Sequence, residues 1–171
     1  MQMYQEEWKL VYEMYYKPLY LYALSLTGNQ QDAEDLIQET FVKAYLSYEA
    51  DGSLKYWLIT VLRNEYFNLQ RKRKKELLDD GQILVAQTSS EQDVLVRLVE
   101  QEERRRLFWE IQQLPPRMKE ILMESVYFQM QDEEIGKLHQ ISKENVRKIR
   151  SRARQRLIQN MKEGNENEEL G

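Results

Sequence analysis

Cysteine is absent from the 171 residues, and His139 is the only histidine. These gaps exclude disulfide scaffolds, Cys/His zinc sites, thiol nucleophiles and Cys–His pairs. A Ser-His-Asp triad would have to be built on His139. Absent cysteine is also compatible with a reducing, cytoplasmic setting. There are only 6 Gly and 3 Pro, so helix breakers are scarce. The glycines stand singly at 28, 52, 81, 136, 164 and 171, with no glycine-rich phosphate loop. No run of about 18 apolar residues occurs, so no membrane insertion is expected. The first residues, Met1 to Glu7, are not basic and lead into no long apolar run, so they do not read as a signal peptide. No catalytic residue, cofactor or metal is expected.

A formal net charge of −4 argues, as an average, against a nucleic-acid partner. Resolved by position it does not. Arg63, Arg71, Lys72, Arg73, Lys74 and Lys75 against Glu65 give residues 63–75 a net +5. Lys143, Arg147, Lys148, Arg150, Arg152, Arg154 and Arg156 against Glu144 give 143–156 a net +6. Acid collects at 32–39, at 132–134 and after Met161.

Strand-like alternation is missing, and the pattern is all-α. Helices are expected over 5–26, 31–48, 54–75, 93–113, 117–129, 132–139 and 143–161. The polar stretch 77–100, with Asp79-Asp80-Gly81 and Gln87 to Gln92, reads as a flexible linker that becomes helical again near Asp93. Two small helical domains result, 1–76 and 101–161, followed by an acidic tail, 162–171.

Three helix faces carry chemistry. On 31–48, Ala33, Ile37, Thr40, Ala44 and Tyr48 share the expected core side. Asp35, Glu39, Val42 and Leu46 line the opposite side, an acid–aliphatic stripe suited to docking a protein. Paired carboxylates could also hold a metal, but no histidine accompanies them. On 54–75, Leu54, Leu58, Val61, Leu62 and Leu69 turn toward a core. Tyr56, Thr60, Arg63, Phe67, Arg71 and Lys74 form the far side, with Trp57 and Asn64 at its edge. Rings interleaved with cations suit single-stranded nucleic acid, because bases stack on rings while cations meet phosphates. Glu65, near the apolar side, has no evident role.

The third face is the most specific. Asp132 to His139 reads as a short helix with acid in its first turn, and Gln140-Ile141 as a tight turn. Ser142 reads as the N-cap of the next helix. There Val146, Ile149, Ala153 and Leu157 point inward, and Glu144, Arg147, Lys148, Ser151 and Gln155 point out. This is helix-turn-helix spacing, with a polar N-terminal half able to enter a major groove. Arg and Asn suit guanine and adenine edges, and the later arginines suit phosphates. His139 is expected to be a packed or surface residue at the turn rather than a ligand, and Met118, Met123 and Met130 to fill the core.

The run from Asp32 to Tyr45 resembles the core-polymerase-binding helix of bacterial sigma factors. Trp57 to Asn64, continuing into Arg71-Lys72-Arg73-Lys74, resembles their promoter-melting helix. Leu114-Pro115-Pro116-Arg117 through Arg154, with Glu134-Ile135-Gly136 and Val146-Arg147, resembles their C-terminal helix-turn-helix domain. The two-domain length is that of the extracytoplasmic-function (ECF) group of the sigma-70 family, and the resemblance covers roughly 8–161. It implies a non-enzymatic factor that binds core RNA polymerase and directs promoter-specific initiation. A stress or envelope response under an anti-sigma factor is also implied. By the resemblance, Asp32, Asp35, Gln38, Glu39, Val42 and Leu46 would dock on the clamp helices of the largest polymerase subunit. Tyr56, Trp57, Thr60, Arg63, Asn64, Phe67, Asn68, Arg71 and Lys74 would bind the melted minus-ten element. Ser142, Lys143, Glu144, Asn145, Arg147, Lys148, Arg150 and Arg154 would bind the duplex minus-thirty-five element. Two departures stand out. Asn68 replaces a frequent acid, which touches the detailed minus-ten preference, and Leu62 precedes Arg63 where Ala or Ile is usual.

Two other classes compete. A dimeric helix-turn-helix repressor would explain 101–161 and leave both N-terminal faces idle. A carboxylate–metal nuclease would use Asp32, Asp35 and Glu39, but Asp32 and Asp35 project differently and no basic catalytic partner is evident.

Overall fold

The computed structural model describes residues 5–48, 53–80 and 101–170. All regular structure among them is helical. The chain divides between residues 98 and 99 into two compact units, and each is described by itself.

The first unit contains α1 (Gln5–Thr27), α2 (Gln30–Ser47) and α3 (Leu54–Asp80). A reversal of two residues, Gly28 and Asn29, joins α1 to α2. Gly28 takes φ 63°, a left-handed conformation that glycine adopts without a Cβ penalty, and its N–H closes α1 on the Leu24 carbonyl at 2.8 Å. Asn29 then caps α2, its Oδ1 accepting from the Asp32 N–H at 3.0 Å. The reversal lays an aromatic ladder between α1 and α2: Tyr12 on Phe41 at 4.8 Å and Trp8 on Tyr45 at 5.6 Å. Tyr22, Ala33, Ile37, Leu58 and Leu62 are buried at the centre. Thr40 is fully buried among them, its hydroxyl satisfied by the Leu36 carbonyl at 2.7 Å.

Two ion pairs tie α2 to α3. Arg73 donates twice to Asp32, at 2.6 Å each, and Lys43 pairs with Glu65. The second pair supplies the role that Glu65 lacked on sequence grounds. It reaches across to α2 from the margin of the buried face.

The second unit contains α4 (Glu102–Gln112), α5 (Pro116–Val126), α6 (Asp132–His139) and α7 (Lys143–Leu170). Pro116 opens α5, where a missing N–H costs nothing. Phe108, Ile111, Ile121, Leu122, Met123, Ile135, Val146 and Ala153 form its core. Met130 is buried as expected, whereas Met118 is only half-buried. His139 does pack at the turn, with its side chain 4% exposed. Its Nε2 meets both oxygens of the fully buried Glu124, Oε2 at 2.7 Å, and Nδ1 lies 3.9 Å from Glu120.

Two helices run further than their composition suggests. α3 continues to Asp80, past the expected boundary at 76, so the start of the expected linker is helical. Linker positions 81–100, and the expected helix start near Asp93, lie outside the described residues. The expected acidic tail is helix as far as Leu170, because α4 holds it: Arg106 donates to Asn165 Oδ1 at 2.7 Å and lies 3.8 Å from Glu168. No helix among the described residues is long and apolar enough to cross a membrane.

Candidate functional site

Three surfaces gather the expected residues. On α2 the face opposite the core carries Asp35, Gln38 and Glu39, all exposed, then Val42 at 53% and Leu46 at 68% exposure. Tyr45, 52% exposed, extends this patch toward Trp8. Aliphatics this open beside carboxylates serve no packing purpose within the unit. Asp32 does not join them. It is half-buried and gripped by Arg73, whose guanidinium pKa rises through that hydrogen bond and, less, through the neighbouring acids. No group of three or more His, Cys, Asp or Glu able to hold a metal occurs among the described residues.

On α3 the structure brings Asn64, Phe67, Asn68, Arg71 and Lys74 to the surface, with Tyr56, Trp57 and Thr60 half-buried. The Thr60 hydroxyl bonds its own helix at the Tyr56 carbonyl, 2.7 Å away, and Asn68 bonds Arg71. Arg63 departs from the expectation of an exposed face. It is 8% exposed, donates to the Tyr22 hydroxyl at 3.1 Å and stacks over the Phe67 ring at 5.3 Å. The reason is physical: α1 presents Tyr22 as a buried acceptor, so a guanidinium can enter the unit with a hydrogen bond in place. The planar cation then braces the exposed Phe67 from beneath.

On α6 and α7 the geometry is that of a helix-turn-helix. α6 ends in Gln140, left-handed at φ 58°, and the Ile141 N–H returns to the Gly136 carbonyl at 2.9 Å. The turn passes so close to α6 that a Cβ on Gly136 would lie 2.7 Å from the Ile141 oxygen. Ser142 caps α7, its hydroxyl accepting from the Asn145 N–H at 3.2 Å. Lys143, Glu144, Asn145, Arg147, Lys148 and Arg154 are exposed, as are Ser151 and Gln155. Lys143 lies 3.7 Å from Glu133. Arg150 is only 20% exposed and pairs with Asp132, which also accepts from Arg147 Nε at 3.1 Å. The Asp132 carboxyl is thereby held below the usual range, chiefly by the Arg150 hydrogen bond and then by Arg147.

Sequence reasoning missed Tyr22, Glu124 and the role of Asp132. The partner of each lies on another helix, so no periodicity within one helix exposes it. An acid opening α6 and two arginines on α7 were visible, but their convergence was not.

Comparison with known proteins bears on these surfaces. The family described as Sigma-70 region 2 matches residues 11–76, and Sigma-70, region 4 matches 110–157. The ECF RNA polymerase sigma factor SigM of Bacillus subtilis (strain 168) is 32% identical over 150 residues, spanning 86% of this chain and 90% of that protein. The RNA polymerase sigma factor YlaC of the same organism is 26% identical over 167 residues, spanning 94% and 95%. Among solved structures, the sigma factor RpoE from Bartonella quintana, determined with the anti-sigma factor NepR, superposes with a TM-score of 0.67 at 26% identity, over 92% of this chain and 98% of that one.

Proposed function

This chain belongs to the ECF sigma factors of the sigma-70 family, and from that premise we propose how its surfaces divide the work. As a sigma factor it binds core RNA polymerase and directs promoter-specific transcription initiation. The finer assignments follow from the three faces. The α2 stripe of Asp35, Gln38, Glu39, Val42 and Leu46 docks on the clamp helices of the largest polymerase subunit. Asp32 supports that helix through Arg73 rather than touching the partner. The outer part of α3 takes the melted minus-ten strand, with Phe67 as stacking surface and Arg71 and Lys74 on phosphates. Arg63 acts from within by bracing Phe67. α7 enters the major groove of the minus-thirty-five duplex.

No bond is made or broken in this scheme, and the setting is the cytoplasm, where polymerase works. Extruding a base costs a few kcal/mol, offset by stacking and by the tethering of two weak DNA contacts through one chain. Control by an anti-sigma factor is supported by the likeness to RpoE, which is solved with NepR; a stress or envelope response is what the family resemblance implies.

The observation that carries the reading is the exposed acid–aliphatic stripe, which a free-standing helix-turn-helix repressor would not need. Co-purification with core polymerase tests it. Asp35→Arg combined with Glu39→Arg should abolish co-purification while the chain stays folded. Undiminished binding by that variant would refute the assignment.

A further inference from the structure

Asp132 sits at the first position of α6, opposite the DNA-reading end of α7, and receives two arginines in different ways. Arg150 meets it fork to fork: Nη1 on Oδ1, and Nη2 on Oδ2 at 3.1 Å. Both terminal nitrogens of that guanidinium face the carboxylate, and the side chain is 20% exposed. Arg147 meets Oδ2 from the side, through Nε alone at 3.1 Å. It is 59% exposed, and among the described residues neither terminal nitrogen has a hydrogen bond. A guanidinium held by Nε presents a rigid planar pair of N–H donors at its far end. That pair matches the O6 and N7 acceptors of guanine in the major groove.

We propose that Asp132 is a positioning residue that sorts the two arginines: it aims Arg147 at a guanine edge and retains Arg150 as a structural brace that does not contact DNA. The proposal rests on the assignment of α7 to duplex reading and deepens it. It narrows the base-reading set, since Arg150 faces Asp132 and not the groove. The physical gain is in rotamer freedom. A free arginine loses much of its side-chain entropy on binding a base, whereas Arg147 has lost part of it beforehand. The carboxylate also opposes phosphates near α7, so it trades general attraction to DNA for discrimination. Glu133, on the same turn, draws Lys143 and leaves Asp132 as the acid that holds both arginines.

The test uses the full chain assembled on core polymerase and a duplex pool randomised across the upstream element. Base preferences are read by sequencing the bound fraction. Arg147→Ala should erase the preference at one base pair. Asp132→Ala should weaken the preference at that same pair by about fivefold or more, within what a bidentate contact supplies. It should leave other positions unchanged and bind unrelated duplex as tightly or more tightly. The double variant should match Arg147→Ala alone, because the acid acts through the arginine. Arg150→Ala should cost thermal stability without abolishing any single preference. Asp132→Asn, which keeps the shape and one acceptor, should give a smaller shift at the same pair, and it carries the test if Asp132→Ala unfolds. Equal weakening at every position, an unchanged preference, or additive single variants would overturn the positioning role. A preference lost in Arg150→Ala but kept in Arg147→Ala would reverse the assignment of the two arginines. If neither arginine variant changes any preference, the failure lies in the reading of α7 itself.

Discussion

Removing the His139 imidazole is the most exacting test of the second unit. Glu124 is fully buried, and the His139 side chain that meets both its oxygens is only 4% exposed. Truncating one member of such a pair leaves a polar group in the core short of a partner, and comparable losses cost about 3 kcal/mol or more. His139→Ala should therefore destabilise the unit by about 3 kcal/mol. For a unit of fewer than 100 residues this lowers Tm by roughly 12–24 °C. Replacing both residues with apolar ones of similar volume, Glu124→Met with His139→Leu, should cost much less and fall near neutrality. Trp109 is the one tryptophan of this unit, so its fluorescence reports unfolding once Trp8 and Trp57 are changed to phenylalanine. Urea melts of the two variants in that background give the comparison. A loss below about 1 kcal/mol for His139→Ala would refute the argument that this contact is a desolvated pair. A double variant as damaged as the single one would show that volume, not polarity, is decisive.

Other outcomes follow from the same geometry. Arg63→Ala should lower the stability of the first unit by about 2 kcal/mol through loss of the Tyr22 bond and the Phe67 stack, and Arg63→Lys should not restore it; urea midpoints check both. Gly136→Val should cost about 3 kcal/mol in thermal melts, because even a Cβ would crowd the Ile141 carbonyl. Asp132 titrates below the usual carboxylate range, so its contribution to stability is complete above about pH 4 and fades as pH falls through its lowered folded value. The stability gap between the native chain and Asp132→Asn should accordingly hold near neutrality and close below about pH 4, read by melts across that range.

The presence of the helices, the buried side of α2 and the capped turn before α7 were legible, because each depends on residues close in sequence. Ala33, Ile37, Thr40 and Ala44 repeat with the helical period, so their burial follows from spacing alone. Ser142 caps because its hydroxyl lies beside the N–H groups it satisfies. Arg63 was misjudged because the same periodicity places it among exposed cations. What brings it inside is Tyr22, 41 residues earlier on α1. Ile59, fully buried, likewise fell outside the expected apolar face. Glu65 was puzzling until α2 supplied Lys43, and Asp132 looked like ordinary first-turn acid until α7 folded over it. The length of α7 was hidden for a related reason. Local composition predicts where a helix is comfortable, not where a neighbour compels it to continue.

That compulsion has a consequence for the end of the chain. The last turn of α7 contains no base, and Glu166, Glu168 and Glu169 sit where the carbonyl ends of the helix already concentrate negative potential. Each such acid opposes the helix by a few tenths of a kcal/mol. Arg106 brings in from α4 the positive charge that the terminus lacks, bonding Asn165 and facing Glu168. The final two turns are therefore a conditional helix, kept in order by an ion from another segment and exposed to competition from dissolved salt. Its backbone amides should exchange with solvent sooner as ionic strength rises, while those around Val146 and Ala153 keep their protection. The terminus would then act as an ionic-strength gauge at the far end of α7.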